Sequence, residues 1–174
     1  MKKITIIYTF LFVVFNGYGA CAQVKDTTYE KEKKEISMVL DSFNEAAAKA
    51  DFNAYFNHFA DESVFIGTDA TEVWNKKEFM IWAKPYFDKK RTWNFKSLKR
   101  NLYFSKDAKL AWFDELLDTQ MKICRGSGVL ENIKGEWKIR QYVLSMTIPN
   151  EVTDKVVPEK AAIEDKLIQQ LKAE

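Results

Sequence analysis

The chain has 174 residues, of which 47% are hydrophobic, 30% charged and 14% aromatic; this composition suits one folded domain and excludes a disordered chain. Its 27 Lys and Arg exceed its 25 Asp and Glu by the two lysines at the start, Lys2 and Lys3. A chain cleaved behind them is neutral, with no electrostatic footprint for nucleic acid or an anionic membrane.

Met1-Lys2-Lys3 precedes an uncharged apolar run from Ile4 to Phe15, then Asn16-Gly17, Gly19 and the small-residue pattern Ala20-Cys21-Ala22. A basic start, a short apolar run and an A-x-A site predict a signal peptide over residues 1–22, cut between Ala22 and Gln23. The run is shorter than the roughly 20 apolar residues a membrane span needs, so no stable membrane insertion is expected after cleavage. Gly19-Ala20-Cys21 also resembles the end of a lipobox, although Tyr18 stands where such a site carries leucine. Acylation of Cys21, making a lipoprotein, is therefore the alternative. Both routes predict a periplasmic or secreted protein. Cys124 is then the one free thiol, and the hydrophobic core must hold the fold without a disulfide.

Val24 to Lys34 is polar and reads as a lead-in. Ile36, Val39, Leu40, Phe43, Ala47 and Ala50 recur at three- and four-residue steps, which predicts a helix to about Ala50. Asp51 can cap a second helix with a stripe of Phe52, Tyr55, Phe56 and Phe59. Ser63 to Ile66 reads as a short strand, and Gly67-Thr68-Asp69 as a turn in which Asp69 and Glu72 serve as cap or turn residues. Asn75 followed by Glu78 resembles a capping box, opening a third helix with Phe79, Trp82 and Tyr86 that ends soon after Pro85.

Strands follow. Trp93 to Phe95, Asn101 to Phe104, Lys109 to Leu117, Ile123 to Glu131 and Glu136 to Thr147 are rich in β-formers and separated by turn residues. Pro149 ends the sheet, and Pro158 can open a last helix lined by Ile163, Leu167 and Leu171. Helices followed by a meander of strands define an α+β fold with helices on one face of the sheet.

The single histidine, His58, argues against zinc or mononuclear iron, which draw on two or three imidazoles. It falls off the apolar stripe of its helix and reads as a rim residue. No GxGxxG, P-loop, HExxH or CxxC occurs, and Gly126-Ser127-Gly128 lies in a strand rather than a nucleophile turn. No metal or organic cofactor is expected.

Several phrases together resemble the nuclear transport factor two-like superfamily, in its SnoaL-like branch. They are Phe65-Ile66-Gly67-Thr68-Asp69 with Glu72 and Trp74, Ala111-Trp112-Phe113-Asp114-Glu115, Arg125 to Leu130, and Trp137 to Tyr142. The resemblance covers residues 34–150, leaving 151–174 as a helical tail. It implies a cone-like curved antiparallel sheet wrapped on N-terminal helices around one pocket, often in a homodimer through the sheet's outer face. Its members include ketosteroid isomerases, polyketide cyclases, dehydratases and non-catalytic binders, so the fold alone assigns no activity.

Strand alternation offers candidate pocket residues. With Lys138 and Arg140 outward, the inward face of the last strand holds Trp137, Ile139, Gln141 and Val143, with Tyr142, Leu144 and Met146 outward. Turns centred near residues 134 and 120 then bring Ser127, Arg125, Glu115 and Phe113 inward, with Trp74 and Trp82 at the mouth and Cys124 pointing away. A one-residue slip would put Asp114 in place of Glu115. Glu115 is the candidate catalytic carboxylate, but an ion pair with Arg125 would lower its pKa and suit ligand anchoring better than proton abstraction. Three functions are open: an exported binder of a small apolar or amphiphilic molecule, a cofactor-independent isomerase, lyase or cyclase, and an assembly module using the outer sheet face.

Overall fold

The computed structural model describes residues 29–173; the expected signal peptide, Cys21 and the Ala22–Gln23 junction lie outside the described residues. Helix α1 (Glu30–Ala48) buries Ile36, Leu40, Phe43 and Ala47. It starts within the expected lead-in, where Glu30–Lys33 and Lys31–Glu35 pair along its polar first turns. Helix α2 (Phe52–Asn57) is capped by Asp51, whose side chain accepts from the Ala54 N–H at 2.9 Å. Strand β1 (Phe59–Ile66) and the short β2 (Val73–Asn75) lead into α3 (Lys76–Asp88). There Asn75 and Glu78 form the reciprocal capping box, and the helix ends one turn after Pro85.

Strands β3 (Lys96–Phe104), β4 (Leu110–Thr119), β5 (Lys122–Ile133) and β6 (Glu136–Met146) form the meander. Trp93 to Phe95 precede β3 as irregular chain rather than a strand of their own. The six-stranded sheet has the order β2-β1-β6-β5-β4-β3, antiparallel except where β1 runs parallel to β6. Irregularities in β3, in β6 and between β1 and β6 bend it around the helices, because an extra residue in one strand curves that strand. The core between sheet and helices is built from aromatic rings: Phe43 stacks on Tyr55 at 4.5 Å, and Phe65 on Phe79 at 4.0 Å. A final helix, α4 (Thr153–Leu171), begins earlier than Pro158, which sits inside it, and buries none of its side chains.

Two turn geometries reset the expected faces. The β4–β5 hairpin is a two-residue turn closed by Thr119 opposite Lys122, so its centre falls after Gln120. Thr119 Oγ1 accepts from the Met121 N–H at 2.9 Å and donates to the Lys122 carbonyl at 2.8 Å, fixing that register. Glu115 consequently faces Gly126, while Arg125 lies opposite Leu116 on the outer face and pairs with Asp114 at 3.1 Å. The β5–β6 hairpin turns on Lys134 and Gly135, both with positive φ (54° and 94°), as its two-residue turn requires.

A bulge in β6 then changes the phase of alternation. Leu130 pairs with Ile139 but Val129 pairs with Gln141, so Arg140 and Gln141 both lie outward. Before the bulge Trp137 and Ile139 face the core; after it Tyr142 and Leu144 do. Gln141, Val143 and Ser127 are therefore corrected to the outer face, and Tyr142 and Leu144 to the inner one. Cys124 also faces inward, fully buried against Thr119.

Candidate functional site

One cavity of about 150 Å³ opens at the end of the cone between α3, the β1–β2 loop, the α3–β3 connection and the β4–β5 turn. Its walls are Phe65, Trp74, Phe79, Trp82, Trp93, Phe95, Tyr55 and Tyr142, closed by Leu144 and Met121. Each element delivers its ring for a local reason. The capping box fixes the start of α3, so Phe79 and Trp82 point along one helical face into the cavity. The short β2 pairs Trp74 with Phe65, and Trp74 then stacks on Trp82 at 4.8 Å.

Polar residues at the wall are few: Thr68, Glu72, Gln120, Tyr55 and Tyr142. Glu72 sits across Gly67, where an added Cβ would overlap its carboxylate. One carboxylate oxygen accepts from the Asp69 N–H at 3.2 Å. The Tyr55 hydroxyl is buried, and burial pushes its pKa well above the usual phenol range, opposed in smaller part by the Trp93 side chain.

Behind the Tyr142 wall lies a buried charged cluster. Glu115 is fully buried and does not line the cavity. Its partner is Arg100 of β3, not Arg125: Arg100 Nε donates to Oε2 at 2.9 Å, with Nη2 at 2.8 Å from the same oxygen. Arg100 also donates to the Ser37 carbonyl at 3.1 Å and to Asp41 at 2.8 Å, tying the sheet to α1. The Tyr142 hydroxyl donates to Glu115 Oε1 at 3.4 Å; burial first, and the Glu115 charge second, hold that phenol well above its ordinary pKa. Gly126 makes room for this contact, since a Cβ there would come within 2.6 Å of the Tyr142 hydroxyl and 3.1 Å of Glu115 Cγ.

The candidate residues thus divide. Trp74 and Trp82 line the cavity; Phe113 and Glu115 are buried on the inner face beside it; Arg125, Ser127, Gln141 and Val143 lie on the opposite side of the sheet. His58 is half-buried at the end of α2, with Nδ1 2.7 Å from the Ala54 carbonyl oxygen, away from the cavity. The residues not anticipated are Arg100, Tyr142, Phe65, Phe79 and Trp93, together with Glu72 as part of the wall. Arg100 carried a signal, for Leu102 and Phe104 share its alternation and are apolar. Among the described residues no group of three or more His, Cys, Asp or Glu could hold a metal ion. No helix among them is long and apolar enough to cross a membrane.

A bent, unclosed sheet wrapped on α1–α3 with a cavity at one end defines the nuclear transport factor two-like class. The family model of the SnoaL-like domain matches residues 36–149, and the chain belongs to that family. Solved structures share the fold at low identity. A domain of unknown function with a cystatin-like fold from Nostoc punctiforme is 14% identical with a TM-score of 0.60, covering 84% of this chain and 100% of its own. A candidate dehydratase of the NTF2-like family from Streptomyces avermitilis is 13% identical with a TM-score of 0.59, covering 70% and 100%. A candidate aromatic ring hydroxylase from Novosphingobium aromaticivorans is 10% identical with a TM-score of 0.58, covering 68% and 91%. A search of curated proteins finds no match to the chain.

Proposed function

We propose that this SnoaL-like protein is an exported binder that holds a small apolar or amphiphilic molecule in its aromatic cavity. The observation that carries the reading is the state of Glu115. A general base for a carbon acid works best as a carboxylate whose pKa burial has raised, within reach of the substrate. Glu115 is instead matched by the Arg100 guanidinium at 2.8 Å and lies behind the cavity wall. The cavity itself offers ring surface from Phe65, Trp74, Phe79 and Trp82, with few polar groups at its wall. Protein purified from its own host and analysed by native mass spectrometry should carry a small molecule, lost when Met121→Trp fills the mouth. A ligand-free chain, with no thermal shift from one- and two-ring compounds, would contradict binding.

Tyr142 supports a second reading, since it both lines the cavity and touches Glu115. A cofactor-independent isomerase, lyase or cyclase would use that phenol as its acid, and Tyr142→Phe would then abolish turnover while sparing ligand affinity.

The outer face favours a homodimer. Tyr103 and Trp112 stack at 6.0 Å there and are each 46% exposed, with Leu116, Val129 and Val143 half-buried around them. Sedimentation of the protein is expected to give a dimer that Trp112→Glu splits; a monomeric parent chain would contradict it.

A further inference from the structure

We propose that the cavity selects a ligand of one ring carrying a positively charged ammonium group. The proposal rests on the binding reading above and assigns the ligand's chemical class. Size comes first. A cavity of about 150 Å³ matches the volume that accepts benzene in a protein interior, so its enclosed part suits one ring, with any further substituent at the mouth.

Charge comes next, and it has one sign. No lysine or arginine lines the cavity, whereas Glu72 does. Glu72 forms no ion pair among the described residues; the Asp69 N–H occupies one oxygen, leaving acceptor capacity for a ligand. Lys160 of α4 pairs with Glu164 at 2.7 Å. The positive charge behind the wall, Arg100, faces two carboxylates, Glu115 and Asp41. Arg125, which would have anchored an anionic ligand, is on the other side of the sheet with Asp114. Lys89 and Arg91 lie beyond Trp82 on the outer side of the mouth, so within the cavity the one charged side chain at the wall is Glu72.

The walls suit the same occupant. Trp74, Phe79 and Trp82 lie nearly parallel, with centroids 4.8–5.8 Å apart and interplanar angles of 15–30°. Trp82 is partly exposed at the mouth. The stacked rings shield the site from water, which strengthens the attraction of the Glu72 carboxylate for an ammonium. An ammonium between Glu72 and the Trp74–Trp82 pair would leave the ligand's ring against Phe79, Trp93 and Tyr142.

Titration of the full chain with benzylamine, benzyl alcohol and benzoate, followed by tryptophan fluorescence at neutral pH, tests the assignment. These share one ring and differ in head-group charge. Benzylammonium is expected to bind about tenfold more tightly than benzyl alcohol, and benzoate more weakly than either. Glu72→Gln, which keeps the side chain's shape, should remove most of that preference, read as the ratio of benzylammonium to benzyl alcohol affinity within the same variant. Benzoate binding as tightly as benzylammonium, or a preference untouched by Glu72→Gln, would overturn the ammonium assignment while leaving the cavity a binding site. Failure of all three probes to bind would overturn the binding reading, and the assignment with it.

Discussion

Arg100 makes polar contacts to two elements from a side chain only 9% exposed, and Glu115 opposite it is not exposed at all. Such a pair costs much to desolvate, and breaking it costs more than replacing it, because the survivor stays buried and uncompensated. Arg100→Met is expected to destabilise by about 3–5 kcal/mol, and adding Glu115→Gln should recover part of that loss. Arg125→Ala, on an exposed side chain, should change stability by less than about 0.5 kcal/mol. Unfolding of these three variants and of Glu115→Gln alone in denaturant checks this; coupling near zero between Arg100 and Glu115 would show that they do not act as a pair. His58 gives a pH dependence of known sign. Burial lowers its pKa, outweighing its backbone hydrogen bonds to Ala54 and Tyr55. The folded state therefore takes up its proton at lower pH than the unfolded chain does. Stability is full above the ordinary imidazole range and falls as pH drops through it toward the folded value. Thermal melts across that range should show a slope that His58→Gln reduces; an unchanged slope would assign it to the carboxylates.

At the scale of elements, α3 is the part on which the cavity depends. Asn75 accepts from the Glu78 N–H at 3.1 Å and Glu78 accepts from the Asn75 N–H at 3.0 Å, closing the first turn that presents Phe79 and Trp82. Asn75→Ala should cost about 1 kcal/mol, or roughly 2–4 °C in Tm for a domain of this size, and weaken ligand binding through a frayed first turn. Calorimetry with and without a bound one-ring compound measures both; unchanged binding would mean that the cap does not position the cavity wall. Such caps were legible in the sequence because they are local: a side chain and an N–H three residues apart decide them. The faces of β5 and β6 were not, because they depend on where two turns are centred and on one inserted residue. Moving the first turn by half a residue turned Arg125 outward, and the bulge after Ile139 exchanged Gln141 and Val143 for Tyr142 and Leu144. Alternation of charge pointed correctly for Lys138 and Arg140 but could not reveal that the phase changes just beyond them.

For the whole molecule, the succession of helices and strands, apart from the short β2, followed from periodicity and turn chemistry. The bent sheet and the family followed instead from the resemblance carried by phrases such as Ala111 to Glu115 and Trp137 to Tyr142. The long-range pairing of Arg100 with Glu115 did not, since β3 to β4 register has no local signature in a strand as polar as Lys96 to Asn101. The central claim is that a small molecule occupies the aromatic cavity and not the outer sheet face. The chain's five tryptophans divide between these places: Trp74, Trp82 and Trp93 line the cavity, Trp112 lies on the outer face, and Trp137 is buried away from both. The direct measurement is a nitrogen–proton NMR spectrum of the indole N–H signals during titration with benzyl alcohol, a neutral one-ring probe. The Trp74, Trp82 and Trp93 signals are expected to move together and saturate, with Trp112 and Trp137 still. Movement of Trp112 alone, or of no indole at all, would contradict the cavity as the binding site.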